Sequence, residues 1–179
     1  MRKLKLKMEM SVDGFVGAPD GDVEWAMASY DDDELTAATV DVLGRAGVRA
    51  MGHQAYEDMA PHWQASDEPF APPMNDIPKV VFSRTLTEAT WPETRIVRGD
   101  LAEEIARLKR EPGDDILAHG GAGFAQALTR LDLIDEYHLN VHPVALGAGL
   151  ALFGGPVRLR ARSARTYRNG AVTVVYDRA

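Results

Sequence analysis

Segments of period two alternate with segments of helical period along most of this chain, and that alternation restricts the fold more than any other feature. Residues 2–10 put Leu4, Leu6, Met8 and Met10 on one side and Lys3, Lys5, Lys7 and Glu9 on the other, which predicts a strand with one buried face. Residues 31–47 predict a helix, with acidic residues in its first turn and Gly47 at its end. VRAMG at 48–52 predicts a short strand, and HQAYEDMA at 53–60 a second helix. Further strands are predicted at 79–83, 94–97, 114–119 and 134–144, with helices over 100–111 and 121–131. Residues 157–167 and 171–178 flank Arg168-Asn169-Gly170, an Asn-Gly turn signal, and predict a closing hairpin. The pattern implies an α/β fold whose mostly parallel sheet carries antiparallel strands at its C-terminal edge. With 179 residues, the chain is expected to form one domain over 1–179.

Residues 61–78 hold five of the ten prolines and are expected to form a long surface loop beside a site. GAPDGD at 17–22 is a turn-rich loop. The net charge of −7 argues against nucleic acid as the main partner, because phosphate backbones need a basic surface. Cysteine is absent, so disulfides, thiolate nucleophiles and Cys-ligated zinc are excluded. MRKLKLKMEM lacks the apolar core of a signal peptide, and residues 144–153 are too short to span a bilayer. We therefore expect a cytoplasmic protein without a membrane partner. His138 and His142 face one way on a strand but stand roughly 13 Å apart, so no metal is expected. Arg158, Arg160 and Arg162 form a basic row that suits a solvated face or a dimer contact.

Three stretches carry anion-binding chemistry. In HGGAGF at 119–124 an apolar run ends in Gly120 and Gly121, and a helix follows at once. Such a turn aims free amides and the positive end of the helix dipole at one spot. The spacing fits neither the dinucleotide fingerprint, since Gln126 stands where the third glycine belongs, nor a P-loop. Close helix–strand packing accounts for the same glycines. Gly52 and His53 repeat the strand-to-helix arrangement, and Ser83-Arg84 places a hydroxyl and a guanidinium just past a strand end. A helix cap or a solvated arginine explains each of these singly.

The same residues, with SVDGFVGAPDGDVEW at 11–25, KVVFSRTL at 79–86 and the run from His119 to Phe153, resemble the dihydrofolate reductase-like superfamily. The similarity is to the branch holding the reductase domain of the bifunctional riboflavin-pathway deaminase-reductase and its stand-alone relatives. It implies a three-layer α/β/α fold and an NADPH-dependent reductase of riboflavin-biosynthesis type. Gly120, Gly121, Ala122, Gly123 and Phe124 would face the pyrophosphate, with the Gly-Gly peptide often cis. Gly52, His53, Gln54, Ala55 and Tyr56 would take its other side. Ser83 and Arg84 would hold the 2′-phosphate, and Val16 would lie against the nicotinamide. His53 replaces the family's usual arginine and Ala55 its usual threonine. NADPH preference then rests mainly on Arg84, and NADH stays open as a cofactor.

The implied reaction is hydride transfer to a C=N or C=O carbon of a small-molecule substrate, with an acid supplying the proton. Asp33, within the acidic run 31–34, and Asp13, in the SVDGF turn, are the candidate acids; helix capping and turn formation are their structural alternatives. Met59, His62 and Trp63 are candidate substrate contacts, Trp63 as a lid on the proline-rich loop. Leu146 and Gly149 are candidates for the far wall. A homodimer is expected, and a non-catalytic nucleotide-binding or dimeric interaction module on the same scaffold is the competing expectation.

Overall fold

The computed structural model describes residues 1–179. Strands β1 (Leu4–Ser11), β2 (Val48–Gly52), β3 (Lys79–Phe82), β4 (Thr94–Val97), β5 (Ile116–His119) and β6 (Glu136–His142) run parallel, in the order β4-β3-β2-β5-β1-β6. Strands β7 (Leu159–Thr166) and β8 (Val172–Arg178) continue the sheet antiparallel, as β6-β8-β7. Gly170, with φ 87°, makes the turn between them. The expected α/β architecture is therefore present, including its antiparallel C-terminal edge.

Helices cover both faces of the sheet. Helices α5 (Leu101–Arg110) and α6 (Ala122–Arg130) bury Ile105, Leu108, Ala125 and Leu128 against Leu4, Leu6 and Met8 of β1. On the opposite face lie α2 (Asp33–Gly44), α3 (His53–Ala65) and α4 (Ala71–Asp76). There Leu43, Tyr56 and Met74 pack on Met51, Val81 and Leu117. A short α1 (Glu24–Met27) and a 3₁₀ turn over Ala28–Asp31, neither foreseen, lead into α2.

The sequence expectations need correction in three places. First, β1 has two buried faces. Lys7 keeps only 2% of its surface exposed and Glu9 is half-buried, because a central parallel strand is covered on both sides. Second, 61–78 is not a long loop. α3 continues through Pro61 to Ala65, and α4 accepts Pro72 and Pro73 because first-turn N–H groups need no helical partner. The Asn75 side chain joins these parts, donating to the Trp63 carbonyl at 2.8 Å and accepting from Trp91 Nε1 at 2.8 Å. Third, α2 ends at Gly44, and Gly47 acts through close approach: a Cβ there would lie 2.6 Å from the Asp114 carbonyl oxygen. No helix is long and apolar enough to cross a membrane.

Candidate active site

A cavity of about 1030 Å³ lies at the C-terminal edge of the parallel strands, where open α/β sheets bind ligands. Most of the nucleotide and substrate candidates line it: Val16, Gly52, His53, Gln54, Ala55, Met59, His62, Trp63, Ser83, Arg84 and the run Gly120 to Phe124. They come from α3 and α6, from the end of β2 and from the segments just past β1, β3 and β5, and the sheet order brings them together.

One end is built from backbone. Gly121 is the N-cap of α6 and Gly52 that of α3; both helix starts line the cavity, and neither has a side-chain cap to take up its first-turn amides. Gly120 and Gly121 have φ of 74° and 76°, a left-handed conformation that favours glycine. Their peptide is trans, contrary to the cis bond that the resemblance implied: the chain has no cis peptide, and the two positive φ values make the turn. A Cβ on Gly121 would meet Ala55 Cβ at 3.1 Å, and one on Gly52 would meet Phe124 Cβ at 3.2 Å. Glycine thus serves both chain direction and close approach here, and either side chain would narrow the cradle.

Ser83 is buried, and its Oγ accepts the amides of Thr85 and Leu86 at 3.2 and 2.9 Å, which fixes the loop that carries Arg84. Arg84 is exposed at the cavity wall. Arg98, missed in the sequence, lines the same end and donates to the Leu86 carbonyl at 2.7 Å. His53 Nδ1 lies 3.0 Å from Thr85 Oγ1, and its Nε2 lies 3.1 Å from Glu57.

The other end is built from side chains. Lys7, Glu9, Tyr30, Thr39 and His119 line it, and none was selected from the sequence. The Lys7 ammonium contacts the Glu9 carboxylate and donates to Tyr30 Oη at 3.1 Å. Tyr30 Oη donates to Glu9 Oε1 at 2.8 Å and accepts from Asn140 Nδ2 at 3.0 Å. His142 Nε2 lies 2.6 Å from Glu9 Oε2. Burial, then the nearby Arg49 charge, pulls the Lys7 ammonium down to about 7. Burial pushes the Tyr30 phenol up to about 12 and holds His142 down to about 4, so His142 is a neutral donor to Glu9 at pH 7. His119 is held well below its usual value by burial, then by Lys7 and Arg49, and accepts from Arg49 Nη2 at 2.7 Å through its Nδ1. Only long-range pairing places these groups together: Lys7 is opposite His119 in the β1–β5 register, and Glu9 is opposite Asn140 in the β1–β6 register.

Five sequence candidates lie off the cavity wall. Asp33 is exposed in the first turn of α2, and its neighbour Asp32 is the N-cap, accepting the amides of Glu34 and Leu35. Asp13 is exposed and accepts from Ser11 Oγ at 2.6 Å and the Leu146 and Gly147 amides at 3.1 and 2.7 Å. These bonds, the Ser11 hydroxyl first, keep its carboxyl below the usual range, the wrong direction for an acid at neutral pH. Leu146 is thus tied back to Asp13, and Gly149 packs on Phe15 and the Gly17 carbonyl, while Leu150 next to it reaches the cavity. Tyr56 is buried, its Oη accepting the Thr90 and Trp91 amides at 2.7 and 3.1 Å. Trp63 does line the cavity, but from the last turns of α3 rather than from a loop. His138 and His142 each face a carboxylate, Glu136 and Glu9 respectively.

The sequence model described as the RibD C-terminal domain matches residues 2–173. The chain belongs to this family. Two Bacillus subtilis relatives of this RibD C-terminal domain protein, described as uncharacterized, are YyaP and YwjB. YyaP is 28% identical, with 98% of this chain and 94% of the relative covered. YwjB is 29% identical, with 99% of each covered. Among solved structures, a putative riboflavin biosynthesis protein from Shewanella sp. PV-4 aligns over 99% of both chains, with TM-score 0.78 and 22% identity. The Thermotoga maritima deaminase/5-amino-6-(5-phosphoribosylamino)uracil reductase aligns with TM-score 0.71 and 16% identity; this chain is covered to 99% and spans 57% of that one. At these identities the structural matches establish the shared dihydrofolate reductase-like fold.

Proposed function

We propose that this RibD C-terminal domain protein is an NADPH-dependent reductase that transfers hydride to a C=N or C=O carbon of a small heterocyclic or ribosylamino-pyrimidine substrate. One observation carries the reading: a cavity whose one end is an amide cradle beside Ser83 and Arg84, and whose other end holds a buried, proton-bearing Lys7. The cradle fits a dinucleotide, because the uncapped N-termini of α3 and α6 meet at the cavity wall, drawn together by Gly52 and Gly121, whose missing Cβ atoms let Phe124 and Ala55 approach. Bound NADPH would supply the hydride. The first-turn amides of α6 and α3 would hold its pyrophosphate, Ser83 and Arg84 would take the 2′-phosphate, and Val16 would pack toward the nicotinamide.

The chain's own chemical task is to exclude water, orient the substrate and deliver a proton. Lys7 suits that last task better than either aspartate: it lines the cavity, its Nζ is held by Glu9 and Tyr30, and a value of about 7 leaves it part protonated at neutral pH. The proton would go from Nζ to the heteroatom of the reduced bond. The competing reading, a nucleotide-binding module without catalysis, draws on His53 and Ala55, but gives the buried Lys7–Glu9 pair no use. The test is a fluorescence titration with NADPH and NADH, followed by a screen for substrate-dependent NADPH oxidation. Saturable binding and turnover support the enzyme; binding with no turnover on any carbonyl or imine compound supports the module.

A further inference from the structure

The parallel strands bury three cations, Lys7, Arg49 and Lys79, and Arg49 is compensated far less than the other two. The Lys7 ammonium contacts the Glu9 carboxylate and Tyr30 Oη. Lys79 Nζ donates to the Asn75 and Pro92 carbonyls and lies over the Trp91 ring, 4.9 Å from its centroid. Arg49 is fully buried and in no ion pair. Its one side-chain bond joins Nη2 to His119 Nδ1 at 2.7 Å, and its Nε and Nη1 are enclosed without partners. A buried charge so poorly matched costs stability, and an apolar side chain of similar volume in its place is often stabilising. The offsetting gain lies in the one group that Arg49 holds.

We infer that Arg49 is a positioning residue: it locks His119 in one tautomer, neutral with its proton on Nε2, so that the cavity wall offers a fixed N–H donor beside Lys7 to an acceptor atom of the substrate. That this acceptor is the heteroatom of the reduced bond rests on the reductase reading above; the tautomer does not. A guanidinium has donors and no acceptor, so His119 Nδ1 must be the accepting lone pair and the ring proton belongs to Nε2. A second proton on the ring would set an imidazolium against Arg49 and near Lys7, and burial opposes it as well.

Position supports the same assignment. His119 ends β5 directly before Gly120 and lines the cavity, whereas Arg49 lies behind the wall. Its Nε2 has no partner in the chain and is not among the enclosed, unpartnered nitrogens, so it is open to a ligand. Lys7 stands opposite His119 in the β1–β5 register, and Arg49 reaches His119 from β2, on the other side of β5. With Arg49 in place His119 can only donate through Nε2. Without it the ring is free to present a bare Nε2 lone pair, which repels the same acceptor. In the reaction, hydride from NADPH reduces the carbon and the heteroatom takes the π electron pair. The Lys7 proton goes to that heteroatom, while His119 keeps its own proton and stabilises the growing negative charge.

The test is nitrogen NMR of the full chain, isotope-labelled at histidine, at neutral pH, with His119→Gln assigning the His119 signals by their loss. We expect wild-type His119 to show a bare Nδ1 and a protonated Nε2, a result that needs no other variant. Arg49→Met, close in volume and without a donor, should let the Nδ1–H tautomer appear. It should lower kcat about tenfold, keep NADPH affinity within about twofold and leave Tm unchanged or higher. Arg49→Lys, whose ammonium also only donates, should restore the wild-type nitrogen pattern and most of the lost kcat, a rescue that a packing role would not give. An imidazolium or an Nδ1–H in the wild type would overturn the inference, as would a tautomer or a kcat that Arg49→Met leaves unchanged. A wild type that turns over no substrate would instead overturn the reductase reading, and the nitrogen spectra of wild type, Arg49→Met and Arg49→Lys then decide this inference by themselves.

Discussion

At the glycine end of the cavity the wall is formed by the first turns of α3 and α6, with Arg84 and Arg98 beside them; at the β1 end it is formed by buried side chains that hold one another in place. The first end owes its shape to missing side chains, and any residue with a Cβ spoils it. The second owes its chemistry to burial, which lowers Lys7 and leaves it Tyr30 and Glu9 as partners, Glu9 being held in turn by His142. On the proposed function, the first arrangement would grip a ligand without reacting. The second would supply a proton. A change at one end should therefore alter one property and spare the other.

The largest effect is expected from Lys7→Met. It should lower kcat by roughly 10²- to 10³-fold while leaving NADPH affinity within about twofold, measured by steady-state kinetics and titration. The pH profile sharpens this. An acid must be protonated to donate, so kcat/KM of the wild type should fall as pH rises through about 7, the value to which burial and Arg49 bring Lys7. Lys7→Met should lose that limb. A smaller effect, about 30-fold and close to 2 kcal/mol, is expected on NADPH affinity from Gly121→Val, which fills the cradle at positive φ against Ala55. Its affinity for a substrate-end ligand should stay unchanged. Arg84→Ala should cost about tenfold in NADPH affinity and leave NADH unaffected, since only one of the two carries the 2′-phosphate. The smallest change is expected from Asp33→Asn, whose exposed position off the cavity wall should keep kcat within about twofold. A loss as large as that of Lys7→Met would move the proton donor to α2.

The two ends also differ in how legible they are in the sequence. Glycines at strand-to-helix junctions carry their meaning locally, so Gly52, Gly120 and Gly121 stand out from their immediate neighbours alone. The alternation of β1 is equally visible, but Lys5, Lys7 and Glu9 read as a solvent-facing side, because charged residues usually are. The expected parallel sheet holds the missing hint: a central strand of such a sheet is covered on both faces, so its charged side must be buried and used. Tyr30, His119, Asn140 and His142 could not be added from sequence, since they meet Lys7 and Glu9 only through the β1–β5 and β1–β6 registers and a 3₁₀ turn. The proline count misleads over 61–78, where the buried contacts of Met74 and the Asn75 side chain outweigh local breaking signals. Asp13 and Asp33 draw notice as acids, yet one pins a loop and the other lies in an exposed first turn.

The central claim is that one cavity joins a nucleotide cradle to a separate proton-delivering end. Calorimetric titration of NADPH into wild-type, Gly121→Val and Lys7→Met proteins tests it most directly. We expect saturable binding to the wild type, strongly weakened binding to Gly121→Val and near-wild-type binding to Lys7→Met. No saturable binding to the wild type, or equal losses in both variants, would contradict the account.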